Sequence, residues 1–201
     1  MSTGRLEAFS DGVLAIAITL LVLDLRLPDE PDRPLATLLA DRWPSYLAYV
    51  VSFVVIGIMW VNHHALFRRV AQVDRALLFL NLGLLLFVAA LPFPTAVAAD
   101  GLRRGGRDAN VALFTYSVTL VFVAVAFSAV WTYIVRTPGI LRTPLPGAQQ
   151  RAAVQRFGLG LVAYLALCGL AFLSPIATLL GHAAVAVYYA FEQLPVPGPS
   201  A

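Results

Sequence analysis

Phe9-Ser10-Asp11-Gly12-Val13-Leu14-Ala15-Ile16-Ala17-Ile18-Thr19-Leu20-Leu21-Val22-Leu23, with Asp24-Leu25-Arg26-Leu27-Pro28 behind it, is the stretch whose reading decides the fold. Its strictly apolar part, 13–23, holds 11 residues, too few to cross about 30 Å of hydrocarbon, which takes about 20. The span is completed only if residues 9–12 extend it at one end and 24–27 at the other, with Pro28 stopping the helix. Asp11 then belongs to a membrane helix. A cleaved signal peptide is the competing reading, but Glu7 and Asp11 spoil its basic leader and no small-x-small site follows Leu23.

The rest of the chain supports a membrane setting. Of 201 residues, 60% are hydrophobic and 12% charged, against about 25% charged in an aqueous globule, and mean hydropathy is +0.81. Long charge-free runs cover 43–67, 76–99, 109–135 and 157–191. The last, as one helix of about 50 Å, is too long for an ordinary crossing, and Ser174-Pro175 marks its turn. The expectation is an all-α polytopic membrane protein of six transmembrane helices, about 6–27, 44–64, 76–98, 110–135, 154–173 and 176–192, in one domain over 1–193. Residues 194–201, rich in proline and glycine, read as a disordered tail.

Every one of the 14 basic residues is arginine, which excludes a Walker-type phosphate loop and Schiff-base chemistry. The pI near 9.4 does not indicate nucleic-acid binding, because the arginines sit between apolar runs as topology signals do. Eight arginines and four acidic residues fall on the side of the termini, six and seven on the other. That bias predicts cytoplasmic termini, and an acidic outer mouth would concentrate cations. The apolar piece 35–39 ahead of Trp43 is expected on the outer interface, with Trp43 and Tyr46 as belt anchors. The single cysteine, Cys168, excludes an intrachain disulfide and a thiolate metal cage.

Asp11 is the most informative residue, since a central aspartate costs about 2.5 to 3.5 kcal/mol in a bilayer and less near the interface. Either it caps the helix among headgroups or it is paired, with Arg5, Asn62, His63, His64 and Asn81 as the candidates. Ile16, Thr19, Leu20 and Leu23 share one helical face. Such spacing marks a packing seam or, around an axis, stacked rings that gate by dewetting. His63 and His64, neighbours on a helix, point about 100° apart and do not share one metal ion. No cofactor site and no enzymatic motif is present.

Arg5-Leu6-Glu7-Ala8-Phe9-Ser10-Asp11-Gly12 resembles the RxxxFSDG signature of the endosomal and lysosomal potassium channel family and its shorter bacterial relatives. Trp60-Val61-Asn62-His63 is similar to the family's Trp-x-x-His element. The resemblance implies a potassium channel of modest selectivity in a bacterial plasma membrane. One motif copy implies a homotetramer whose pore is lined by the first helix. By this resemblance Ile16, Leu20 and Leu23 form an apolar constriction in place of a carbonyl filter, Thr19 matches a threonine layer, and potassium is only a passing ion. Arg5, Phe9, Ser10, Asp11, Trp60, His63, His64 and Asn81 are expected in a polar network that keeps the first helices in register. The rival readings are a proton-coupled secondary transporter, in which Asp11 and a histidine relay protons, and a non-conducting membrane scaffold.

Overall fold

A computed structural model describes residues 3–191, the side chains of 152, 153, 156 and 157 excepted. The expected tail over 194–201 and the end of the last span lie outside the described residues. Eight helices follow one another: α1 (Thr3–Leu20), α2 (Leu35–Asp41), α3 (Trp43–Phe67), α4 (Arg75–Ala90), α5 (Pro92–Arg104), α6 (Gly106–Arg136), α7 (Gly147–Leu170) and α8 (Pro175–Ala190). Four stretches, Thr3–Asp24, Trp43–Phe67, Arg75–Arg104 and Gly106–Arg136, are long and apolar enough to cross a membrane, and Gly158–Leu170 and Pro175–Ala190 are shorter apolar helices. The protein is an all-helical, multi-pass membrane protein.

The first span ends earlier than 27. α1 passes into a 3-10 turn, Leu21–Asp24, the usual way a helix tightens at its C-terminus, and Leu25 to Pro34 carry no helix. The third span is longer than 76–98 and broken. Proline has no amide hydrogen and its ring crowds the carbonyl four residues back, so at Pro92 the chain divides into α4 and α5. The freed groups are satisfied locally: the Leu91 amide donates to the Val88 carbonyl at 3.1 Å, and the Thr95 hydroxyl donates to the Leu91 carbonyl at 2.8 Å.

Between α5 and α6 the chain reverses at Gly105 (φ 76°) and Gly106 (φ 55°), left-handed backbone that side chains disfavour. The two helices then run in close contact. A Cβ on Gly101 would stand 2.3 Å from the Ala112 Cβ and 2.9 Å from the Asp108 carbonyl oxygen. At Ser174-Pro175 the long apolar run folds back: the Ser174 hydroxyl accepts from the Ala177 amide and Pro175 opens α8, the preferred chemistry of a helix start.

α6 is the spine of the bundle, packed by α4, α5, α7 and α8, while α3 is flanked by α1, α5 and α8. Fully buried Trp131, Tyr116, Leu113 and Leu120 of α6 fill the centre together with Phe67 and Ile56 of α3. A polar belt crosses this core. Ser52 pairs with Thr95 at 2.8 Å and with the Tyr116 hydroxyl at 2.9 Å, and Ser117 pairs with His182 at 2.8 Å. These bonds tie α3, α5, α6 and α8 together inside apolar surroundings, where a lost partner costs more than in water. On the side of the α3–α4 and α6–α7 loops, the Ala71 amide donates to the Ile140 carbonyl at 2.7 Å and the Arg142 amide to the Arg69 carbonyl at 2.9 Å.

Candidate functional site: the two faces of the first helix

α1 lies at the edge of the bundle, packed on α3 and α4. Its buried residues are Leu6, Ser10, Leu14 and Ala17, continued by Leu21, spaced by three or four as a helix seam requires. Ile16, Thr19, Leu20 and Leu23 stand on the other side, and within one chain they are uncovered: Ile16 is 61% exposed, Leu20 41% and Leu23 49%. Intrachain packing therefore does not account for this stripe. The Thr19 hydroxyl donates to the Ile16 carbonyl at 2.9 Å. Its proton is thus held against the helix, and its oxygen lone pairs remain on the exposed side.

The buried face carries the polar network. Ser10 donates to the Leu6 carbonyl at 2.9 Å and accepts from the Asn81 amide at 3.0 Å. The Asn81 carbonyl oxygen lies 2.9 Å from His63 Nε2, and since an amide oxygen only accepts, His63 carries its proton on that nitrogen. The His63 ring stacks on Phe67 with centroids 4.4 Å apart. Ser10, Asn81 and His63 are all buried, so one chain of hydrogen bonds joins α1, α4 and α3.

Asp11 is not paired as the sequence reading expected. Its hydrogen-bond partner is none of Arg5, Asn62, His63, His64 or Asn81: the Trp60 indole N–H donates to the Asp11 carboxylate at 2.9 Å. The reason is where α1 crosses α3. Asn62 faces away, its amide donating to the Ile58 and Tyr189 carbonyls. His64 is exposed and stacks on Trp60 with centroids 6.3 Å apart. Phe9 is half exposed, and Arg5 is exposed with no hydrogen bond or ion pair among the described residues. The expected network thus divides in this chain into a buried Ser10–Asn81–His63 relay and an outer contact of half-buried Asp11 with Trp60 and His64, with Arg5 and Phe9 exposed.

Elsewhere, Arg33 pairs with Glu30 and Asp41, and Arg103 with Asp100, near the short helix α2. Among the described residues no cluster of three or more histidine, cysteine or carboxylate side chains is arranged to hold a metal ion. Sequence reading missed the Ser52, Thr95, Tyr116, Ser117 and His182 belt. Only His182, a histidine within an apolar run, signals it.

A family model for the endosomal/lysosomal potassium channel TMEM175 matches residues 5–92, which hold both groups. A potassium channel of Streptomyces collinus is 52% identical over 197 residues, covering 97% of this chain and 95% of that protein. Another, from Chamaesiphon minutus, is 37% identical over 194 residues, 95% of each. The crystal structure of a lysosomal potassium-selective channel TMEM175 homologue from Chamaesiphon minutus matches with a TM-score of 0.83, at 36% identity over 95% of this chain and 97% of that one. An all-helical bundle with these matches along nearly its whole length belongs to the TMEM175 family.

Proposed function

We propose that this protein is a potassium-permeable channel in which copies of α1 surround the pore, four to an assembly, in a bacterial plasma membrane with both termini in the cytoplasm. The observation that carries the reading is the division of α1 into a buried seam and an uncovered stripe of Ile16, Thr19, Leu20 and Leu23. Four such stripes around an axis form stacked rings of branched aliphatics with a ring of threonine oxygens among them, and apolar rings of this kind gate by dewetting.

Sorting of cations then rests on width and partial dehydration. Potassium sheds water more readily than sodium, so a narrow apolar ring penalises sodium more, while the outward lone pairs of Thr19 return part of the lost coordination. Selectivity is accordingly modest. The buried Ser10–Asn81–His63 relay sets the rotation of α1 on its own bundle. The Asp11–Trp60 pair, with Arg5, Phe9 and His64, is assigned to the contact between neighbouring copies, a reading supported by the exposure of Arg5, Phe9, Trp60 and His64 in one chain. No catalytic step is assigned to any residue.

The test is flux from liposomes loaded with potassium or with sodium, followed by a proton-sensitive dye with valinomycin as positive control. Passive, non-saturating potassium flux exceeding sodium flux supports the channel. Flux that demands a proton gradient supports a transporter, and tetramers with no flux a scaffold.

A further inference from the structure

Between Asp108 and Glu192 the sequence carries four arginines, at 136, 142, 151 and 156, and no carboxylate. Arg142 is committed to the loop, its side chain donating to the Arg68 carbonyl. Arg136, the last residue of α6, and Arg151, in the second turn of α7, line one open groove between the two helices, with Gln155 and with Val135 and Val154 below them. The groove measures about 180 Å³, far more than the 10–15 Å³ or so that one water needs. No acidic side chain lines it. Asp74, the carboxylate that α4 brings against α6, is taken by the Tyr133 hydroxyl and the Leu77 amide. The side chains of Arg136 and Arg151 have no ion pair or hydrogen bond among the described residues.

Charge of one sign gathered in a groove attracts an anion, and the planar fork of arginine suits phosphate. What lies below the arginines identifies the kind of phosphate. Residues 147–157 of α7 precede its apolar part, Gly158–Leu170, so the groove sits where the helix leaves the apolar zone. Arg151, Gln155, Leu159 and Val162 are spaced by four, four and three and therefore share one face of α7. Leu159, Val162 and Leu165 are exposed. Read along that face, a cation and an amide come first and bare aliphatic side chains follow, the order of a headgroup and its acyl chain. A free phosphate would use only the upper part. A zwitterionic headgroup carries a cation of its own, which two arginines repel.

We infer that the groove between the end of α6 and the start of α7 binds an anionic phospholipid, its phosphate held by Arg136 and Arg151 and one acyl chain lying along Leu159, Val162 and Leu165. The site is separate from the stripe on α1 and exists whether or not the chain conducts.

The test is lipid binding to the full-length protein in detergent, read by native mass spectrometry during titration with dioleoyl phosphatidylglycerol or dioleoyl phosphatidylcholine. Phosphatidylglycerol is expected to bind first and more tightly, and neither inorganic phosphate nor deacylated glycerophosphoglycerol in molar excess should displace it. Arg136→Gln and Arg151→Gln should each weaken it about tenfold, the effect of one hydrogen bond to a charged group. Arg151→Lys keeps the charge and loses the fork, and should weaken it less. Arg104→Gln, beside the opposite end of α6, should leave binding unchanged. Equal affinity for the two lipids, or undiminished binding by the double variant Arg136→Gln, Arg151→Gln, would overturn the proposal. So would displacement by inorganic phosphate, in favour of a free anion, and so would cross-linking of Arg151→Cys, Cys168→Ser chains to one another, in favour of a second copy.

Discussion

The Trp60 indole nitrogen and the Asp11 carboxylate meet at 2.9 Å across the crossing of α3 and α1, beside a face that the chain itself leaves uncovered. The pair explains how a carboxylate is tolerated on a membrane helix: it accepts a hydrogen bond from a side chain whose ring stays at the apolar boundary. It also fixes the height of α1 against α3, and so the level of Ile16 about one and a half turns further on.

Asp11→Ala and Trp60→Phe should both weaken assembly. Phenylalanine keeps an aromatic ring beside His64 and removes only the donor. A hydrogen bond to a charged group contributes about 1.5 kcal/mol or more, so the tetramer-to-monomer ratio should fall about tenfold, read by cross-linking and light scattering in detergent. Intact tetramers with altered ion preference would instead make Asp11 a pore residue.

Asn81 is the middle of the buried relay, so its removal strands two partners. Asn81→Ala should lower stability by about 1–3 kcal/mol and Ser10→Ala by about 1 kcal/mol, because His63 keeps Asn81 in the second case. Thermal unfolding of the solubilised protein measures both, and equal losses would show that the relay does not act as a chain.

Much of this arrangement is legible in the sequence, for reasons that are local. Charge-free runs report helices because the bilayer forbids unpaired charge, and Ser174-Pro175 reports a break because proline lacks a donor, whereas the break at Pro92 falls inside the span expected as one helix over 76–98. The stripe on α1 is legible as a face, since 16, 19, 20 and 23 are helical neighbours. That the face is not a seam within the chain is decided by what α3 and α4 already cover. Asp11's partner is not readable: Trp60 is 49 positions away, and which side of α3 meets α1 depends on the packing of every helix between. The same holds for Ser52 and Tyr116, buried polar residues 64 positions apart whose pairing appears only once the bundle brings α3 and α6 to the same core.

Asp74 makes a pH-dependent joint outside the membrane core. The Tyr133 hydroxyl first, and then the Leu77 amide, donate to its carboxylate and hold it below the ordinary value of 3.8. Since the folded value is depressed, this stabilisation is complete above the ordinary value and is lost as pH falls through the folded one. Tyr133→Phe should therefore lower the melting temperature at neutral pH, and the gap to wild type should close as pH falls below the ordinary carboxylate value and through the depressed one. A gap that persists unchanged into acid would mean that Tyr133 acts by packing alone.

Ile16→Asn places a polar amide in the proposed constriction, where it offers sodium the ligands that an apolar ring withholds. The potassium-to-sodium permeability ratio should fall several-fold toward unity, as measured from bi-ionic reversal potentials, while total current is kept or raised. Thr19→Val should lower the ratio less, because the ring width is retained and only coordination is lost.

The most direct test of the pore assignment is thiol accessibility at Ile16 itself. In a Cys168→Ser background, which leaves the chain free of cysteine, Ile16→Cys and the exposed control Leu86→Cys on α4 are each treated with a small water-soluble thiol reagent during potassium flux from liposomes. The account predicts that flux through the Ile16→Cys protein is abolished while the Leu86→Cys protein conducts as before. Undiminished flux after complete modification at position 16 would contradict it and move the ion path off α1.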